Sequence, residues 1–243
     1  QHAVEDAVPN DLVKVAGYCP DWSLRLGQTQ SVMITQTLTL RGGYSTADWS
    51  VSNPILNPTI VKPSDTSTPT GARAVFIAAG VYFTIENITL VDGGWGMFSL
   101  TGPGGNVFHS GASLLVDNVT LDNGYAGYGG GLYSAGGPVM VRGSRITSGE
   151  AITAGGGIYN NGGVMAVEKT EFSSNVAGRS GAGVHTQGGV LTVTNSALLS
   201  NAVTSGSGGL ALLDLGLLGE GEPENADGSG NCILSGLNLI GDT

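Results

Sequence analysis

Three carboxylates spread along the middle of the chain, Asp92, Asp122 and Glu150, sit close in sequence to the aromatic residues Trp95, Tyr125 and Tyr128, with Arg179 further on. Acids beside exposed rings are what a carbohydrate site uses. Rings stack on sugar faces, while acids accept hydroxyls, hold calcium or transfer protons. If the chain is an enzyme, Asp92, Asp122 and Glu150 are its candidate catalytic carboxylates. As a binding groove the set is Trp95, Asp122, Tyr125, Tyr128, Glu150 and Arg179. A lyase acting on acidic sugars also wants cations beside its acids, and only Arg179 is near, with Arg142 and Arg145 on a neighbouring strand. Acidic and aromatic loop residues are equally ordinary surface on a chain of net charge −10. No Cys/His cluster has zinc spacing, no Ser-His-Asp set falls into register, and no glycine-lysine phosphate loop occurs. No catalytic residue, metal site or cofactor is therefore assigned, calcium being the ion this acidic edge would suit.

What must position these residues is a repeat. Gly129-Gly130-Gly131-Leu132, Gly155-Gly156-Gly157-Ile158 and Gly181-Ala182-Gly183-Val184 start 26 residues apart, with a degenerate copy at Ser207-Gly208-Gly209-Leu210. Short strand-like units at such a period indicate a solenoid, in which each unit buries its apolar face by stacking on its neighbours. Alternation within the units predicts three inward columns: Ile85/Val116/Val141/Val167/Val193, Leu90/Leu121/Ile146/Phe172/Leu198 and Leu132/Ile158/Val184/Leu210. An asparagine column, Asn123/Asn175/Asn201 with Gly149 at the missing rung, is expected at a turn. His185 shares the column of Tyr133 and Tyr159, an aromatic ladder. Asn87-Ile88-Thr89 and Asn118-Val119-Thr120 match the glycosylation sequon, but they are also equivalent positions of successive units.

The expected architecture is all-β, a right-handed parallel β-helix with a short N-terminal capping helix. Residues 1–243 form a single domain: a cap over 1–11, coils over 12–215, an acidic loop over 216–231 and a last strand over 232–243. The cap is read as a helix from Gln1 to Val8 with Ala3, Val4, Ala7 and Val8 on one side, covering unpaired strand edges. Arg41 to Pro58 reads as a long loop. Only 12% of residues are charged and the nine basic ones are scattered, which argues against nucleic acid as a partner. No apolar run approaches a membrane span, and the chain reads as a mature or trimmed fragment. Cys19 and Cys232 lie several coils apart, too far to pair with each other, and are read as free thiols.

Two motifs point to a family. The glycine-glycine-x-apolar element, together with Phe172-Ser173-Ser174-Asn175 and its echo Leu198-Leu199-Ser200-Asn201, resembles the repeats of polymorphic outer-membrane proteins. The opening Leu38-Thr39-Leu40-Arg41-Gly42-Gly43-Tyr44, then Trp49, Pro54 and Asn57-Pro58-Thr59, is similar to that of large secreted, surface-anchored β-helix proteins of Chloroflexus-like bacteria. The resemblance implies an extracellular or cell-surface location and a structural or adhesive role without an active site. The implied partners are surface glycans or other surface proteins, with head-to-tail self-association through the open edge of the last strand. The competing expectation is a carbohydrate-active enzyme or a carbohydrate-binding module.

Overall fold

The computed structural model describes residues 1–63, 71–94, 102–205, 231–235 and 238–240. Trp95, the Ser207–Leu210 copy and the acidic stretch up to Gly230 lie outside the described residues. The chain is all-β, with four stacked sheets visited in turn, consistent with a parallel β-helix. Sheet I contains eight strands, beginning with Asp11–Ala16, Leu38–Tyr44 and Tyr82–Glu86 and ending with Asn231–Ser235. Sheet II, also of eight, runs from Tyr18–Cys19 to Asn238–Ile240. Sheet III has four strands, Tyr125–Tyr128, Glu150–Ala154, Val176–Ala177 and Ala202–Val203. Sheet IV has seven, from Ser23–Arg25 to Val184–Gln187. Among the described residues every strand pairing is parallel except that of Ser23–Arg25 with Gln28–Ile34.

The register is that of the apolar columns. In sheet I, Leu40, Ile85, Val116, Val141, Val167 and Val193 are direct neighbours, all at most 2% exposed. Sheet II stacks Cys19, Val61, Leu90, Leu121, Ile146, Phe172 and Leu198. Sheet IV stacks Val32, Val75, Val107, Leu132, Ile158 and Val184. Each fully buried rung removes a side chain worth about 2 kcal/mol from water. The rungs join in one continuous core.

Four corners connect the sheets in each circuit, and at three of them position fixes residue type. Between sheets I and II the chain turns through the left-handed region at Asn87, Asn118, Gly143, Lys169 and Asn195, with φ of 48–56°. Asn118 Nδ2 donates to Asn87 Oδ1 (2.7 Å), so the repeated asparagines form a turn column. Between sheets II and III the left-handed residue is Asp92, Asn123, Ser148, Ser174 or Ser200. Between sheets III and IV sits the glycine run. Its first member is left-handed (Gly129 at 66°, Gly155 at 70°), and a Cβ on Gly131 would lie 2.6 Å from the Gly157 carbonyl oxygen. Close approach of successive circuits, not ligand binding, explains the run.

The asparagine column is corrected by one residue. Leu121 aligns with Ile146, 25 residues on, so Asn123 belongs to the exposed left-handed column with Ser148. The buried column is Gly149, Asn175 and Asn201: Gly149 N donates to Asn175 Oδ1 (2.9 Å), and Asn175 N and Nδ2 donate to Asn201 Oδ1 (3.1 and 2.8 Å). Their amides also reach the carbonyls of Ile146 and Phe172, so the buried polar groups are paired.

The helix is shorter than expected, His2–Asp6, and only Val4 and Ala7 pack on the core, while Ala3 and Val8 are exposed. Pro9 disfavours helical geometry just before it, and Ala7 is already extended. Gln1 engages both backbone groups of Met33, donating to its oxygen (3.2 Å) and accepting from its N–H (2.7 Å). The Arg41–Pro58 loop begins later than expected, because the strand Leu38–Tyr44 extends through Arg41 and Gly43. Tyr44 stacks on Trp49, with ring centroids 6.0 Å apart, and Lys14 donates to the Trp49 carbonyl (2.7 Å). Cys19 is a free, half-buried thiol in the first strand of sheet II, while the Cys232 backbone lies in the last strand of sheet I.

Two substitutions test this packing. Phe172→Ala should cost about 3–5 kcal/mol by urea unfolding, because it empties the widest rung of sheet II. Lys169 holds a left-handed conformation that its turn column gives mostly to asparagine, so Lys169→Asn should stabilise the fold by about 1 kcal/mol, read as a raised Tm.

Candidate functional site

Asp92 and Asp122 lie together at the corner between sheets II and III, and Glu150 opens the next strand of sheet III. Asp92 and Asn123 occupy adjacent rungs of that corner, and Asn123 Nδ2 donates to Asp92 Oδ1 (2.7 Å). Asp92 Oδ2 pairs with Lys62 Nζ at 2.8 Å. Asp122 is half-buried next to this pair, and burial first, then the Asp92 carboxylate, pushes it above the ordinary carboxylate range. In sheet III, Ala126, Ala151 and Ala177 point inward, so alternation turns Tyr125, Glu150 and Val176 outward. Tyr125 and Glu150 are direct partners; burial and then Glu150 raise the Tyr125 hydroxyl.

Tyr128 ends its strand at the other end of sheet III, and Arg179 lies just beyond the strand Val176–Ala177. Tyr128 lies edge-on to Tyr159 (5.1 Å, 68°), and the Arg179 N–H donates to the Thr153 carbonyl, three residues along the chain from Glu150. The structure thus divides the expected set: Asp92, Asp122, Tyr125 and Glu150 share one corner, Tyr128 and Arg179 sit apart, and Trp95 is outside the described residues. Arg142 pairs with Asp117 (2.6 Å) and Arg145 with Glu171 (3.4 Å). Among the described residues no three His, Cys, Asp or Glu side chains are grouped to hold a metal ion.

The aromatic ladder is longer than the sequence motif suggests. Phe76, Phe108, Tyr133, Tyr159 and His185 stack in one outer column of sheet IV, centroids 4.8–5.5 Å apart and planes within 19°. Stacked this way, the rings offer edges to the surroundings and spend their faces on one another. The Arg73 guanidinium covers Phe108 (5.3 Å). The neighbouring inward column changes from Ile34 and Ile77 to His109, Ser134, Asn160 and Thr186. His109 Nδ1 meets Ser134 Oγ (3.1 Å) and Asn160 Nδ2 donates to Thr186 Oγ1 (3.1 Å), while His109 Nε2 and Asn160 Oδ1 are buried without a partner.

Sequence reasoning missed Lys62 and this polar column. The signal for the column was available: Ser134, Asn160 and Thr186 recur two residues after each inward Leu132, Ile158 and Val184. Lys62 follows Val61, which sits in the Leu90 column one rung before Asp92's circuit. Among the described residues no helix is long and apolar enough to cross a membrane. Compared with protein-family models, curated proteins and solved structures, the chain matches none.

Burial pushes His109 and His185 down to about 4. An unfolded histidine titrates near about 6.5, so between these values the unfolded chain binds protons that the folded one refuses. The stability tied to neutral histidine is complete above that range and is lost as pH falls toward 4. His185→Tyr continues the ladder without a titrating group. Its Tm should fall less than that of the native chain between pH 7 and 4.5; parallel curves would contradict this.

Proposed function

We propose that the chain is a non-catalytic extracellular or cell-surface protein, a right-handed β-helical rod with a structural or adhesive role. Right-handed winding follows the general rule for parallel strand crossovers. The helix His2–Asp6 acts as a cap over sheet IV, where Gln1 takes the Met33 backbone that the short strand Ser23–Arg25 leaves uncovered. The extracellular setting rests on the resemblance of the glycine and Phe-Ser-Ser-Asn motifs to surface repeat proteins.

One observation supports the assembly part of this reading most. Exposed apolar side chains gather on the first circuits: Tyr18, Trp22, Leu24, Trp49, Ile55 and Leu56. They accompany strands Asp11–Ala16 and Tyr18–Cys19, which stand at the edges of sheets I and II. The opposite edges of the same two sheets belong to Asn231–Ser235 and Asn238–Ile240. Parallel edges of the same two sheets at both ends suit head-to-tail stacking of copies, because unpaired strand edges invite pairing.

The raised pKa of Asp122, together with the neighbouring Tyr125–Glu150 pair in sheet III, favours a second reading, a carbohydrate-active enzyme. The engagement of Asp92 by Lys62 and Asn123 weighs toward a structural role for that carboxylate. The deciding experiment incubates the protein with neutral and acidic polysaccharides, with calcium or chelator, and counts new chain ends. No new ends on any substrate is the expected result; new ends that disappear in Asp122→Ala would overturn the non-catalytic reading. Light scattering should also show mass rising with concentration, and Leu12→Lys on the exposed edge strand should suppress the rise.

A further inference from the structure

The outer face of sheet I holds a shallow depression of about 250 Å³ that neither the candidate corner nor the aromatic ladder uses. Its lining crosses the circuits from Asn10 through Thr37 and Thr39, then Tyr82 and Thr84, to Ser113. The register makes it a built surface: Thr39 is paired beside Thr84, and Tyr82 beside Ser113. The Tyr82 N–H donates to Thr37 Oγ1 (3.3 Å), which leaves that hydroxyl's proton available. Among the described residues the hydroxyls of Thr39, Thr84 and Ser113 have no hydrogen-bond partner. Tyr82 is 61% exposed, and no other described ring stacks on it.

The lining carries no charge. The charged positions around it are engaged elsewhere: Arg41 pairs with Glu86, Asp117 with Arg142, and Asp11, next to Asn10, accepts from the Val8 N–H. A phosphate or uronic acid would find no cation here, and a purely apolar ligand would strip water from the hydroxyls without replacing their hydrogen bonds. A neutral sugar meets both demands: its C–H face packs on a tyrosine ring while its hydroxyls exchange hydrogen bonds with Thr, Ser and Asn. The volume falls below the ~300 Å³ at which drug-sized pockets begin, which suits one sugar residue and not an oligosaccharide.

We propose that this depression binds a single neutral pyranose unit of a glycan, with Tyr82 as the stacking ring and Thr39 and Thr84 as hydrogen-bonding partners. The proposal supplies contact chemistry for the adhesive reading and rests on it for its biological role.

The test is affinity electrophoresis of the native chain, Tyr82→Ala, Thr84→Val and the double variant Asp122→Ala/Glu150→Ala. The gels contain mannan, dextran, xylan, galactan or, as the acidic control, polygalacturonate, and thermal melts verify folding of each variant. The native chain should be retarded by at least one neutral polymer. Its apparent Kd should rise about tenfold in Tyr82→Ala and severalfold in Thr84→Val, with the double variant unchanged. Retardation by no neutral polymer, or an unchanged Tyr82→Ala, overturns the proposal. Loss confined to the double variant overturns it too, yet keeps an adhesive rod whose site is the acidic corner. Shortening of the polymer in the same gels would instead defeat the non-catalytic reading.

Discussion

The structure depends on the stacking of like on like at a constant period. A parallel circuit cannot bury its apolar face alone, so each rung must meet an equivalent rung above and below. Phe172 between Ile146 and Leu198, or Val141 between Val116 and Val167, is placed by both neighbours at once. Everything at the corners follows from keeping that alignment. The left-handed turn columns, the crowded glycines and the buried Asn175–Asn201 amides all hold one circuit in step with the next.

That constraint bears on function through what remains outside. Residues facing inward or lodged in corners are committed to register, and several that look chemically suggestive prove to be of this kind. The glycine runs are close contacts, the sequon asparagines cap turns, and the stacked rings of sheet IV face one another. Asp92 is tied to Lys62 and Asn123. What stays available is an outer face with neutral hydroxyls and Tyr82, an acidic corner at Asp122 and Glu150, and apolar residues around the first edge strands.

Much of the fold was legible because periodicity is a strong signal when both apolar spacing and glycine spacing repeat. The inward columns of sheets I and II, that of sheet IV from Leu132 to Val184, and His185's place above Tyr159 were readable in this way. Errors came where the period slips by one. The circuit through Leu121 and Ile146 is 25 residues, and counting 26 there moved Asn123 into the wrong column. The candidate site was less legible for the same reason. Shared loop position placed Arg179 with Glu150, yet the next-rung partner of Glu150 is Val176, and Arg179 lies beyond the end of that strand. Lys62 was missed because the early circuits carry long insertions that hide their register.

The most direct test of the stacking account is to remove one circuit. Excising residues 155–180 joins Ala154 to Gly181, brings Ile146 onto Leu198, and lets Asn201 take the place of Asn175 beside Gly149. A control excises 155–178 and puts every later rung out of step. Far-ultraviolet circular dichroism and urea unfolding then compare the two. The account predicts that the 26-residue excision leaves a cooperatively folding β protein and that the 24-residue excision does not. Equal tolerance of both, or equal collapse, would contradict it.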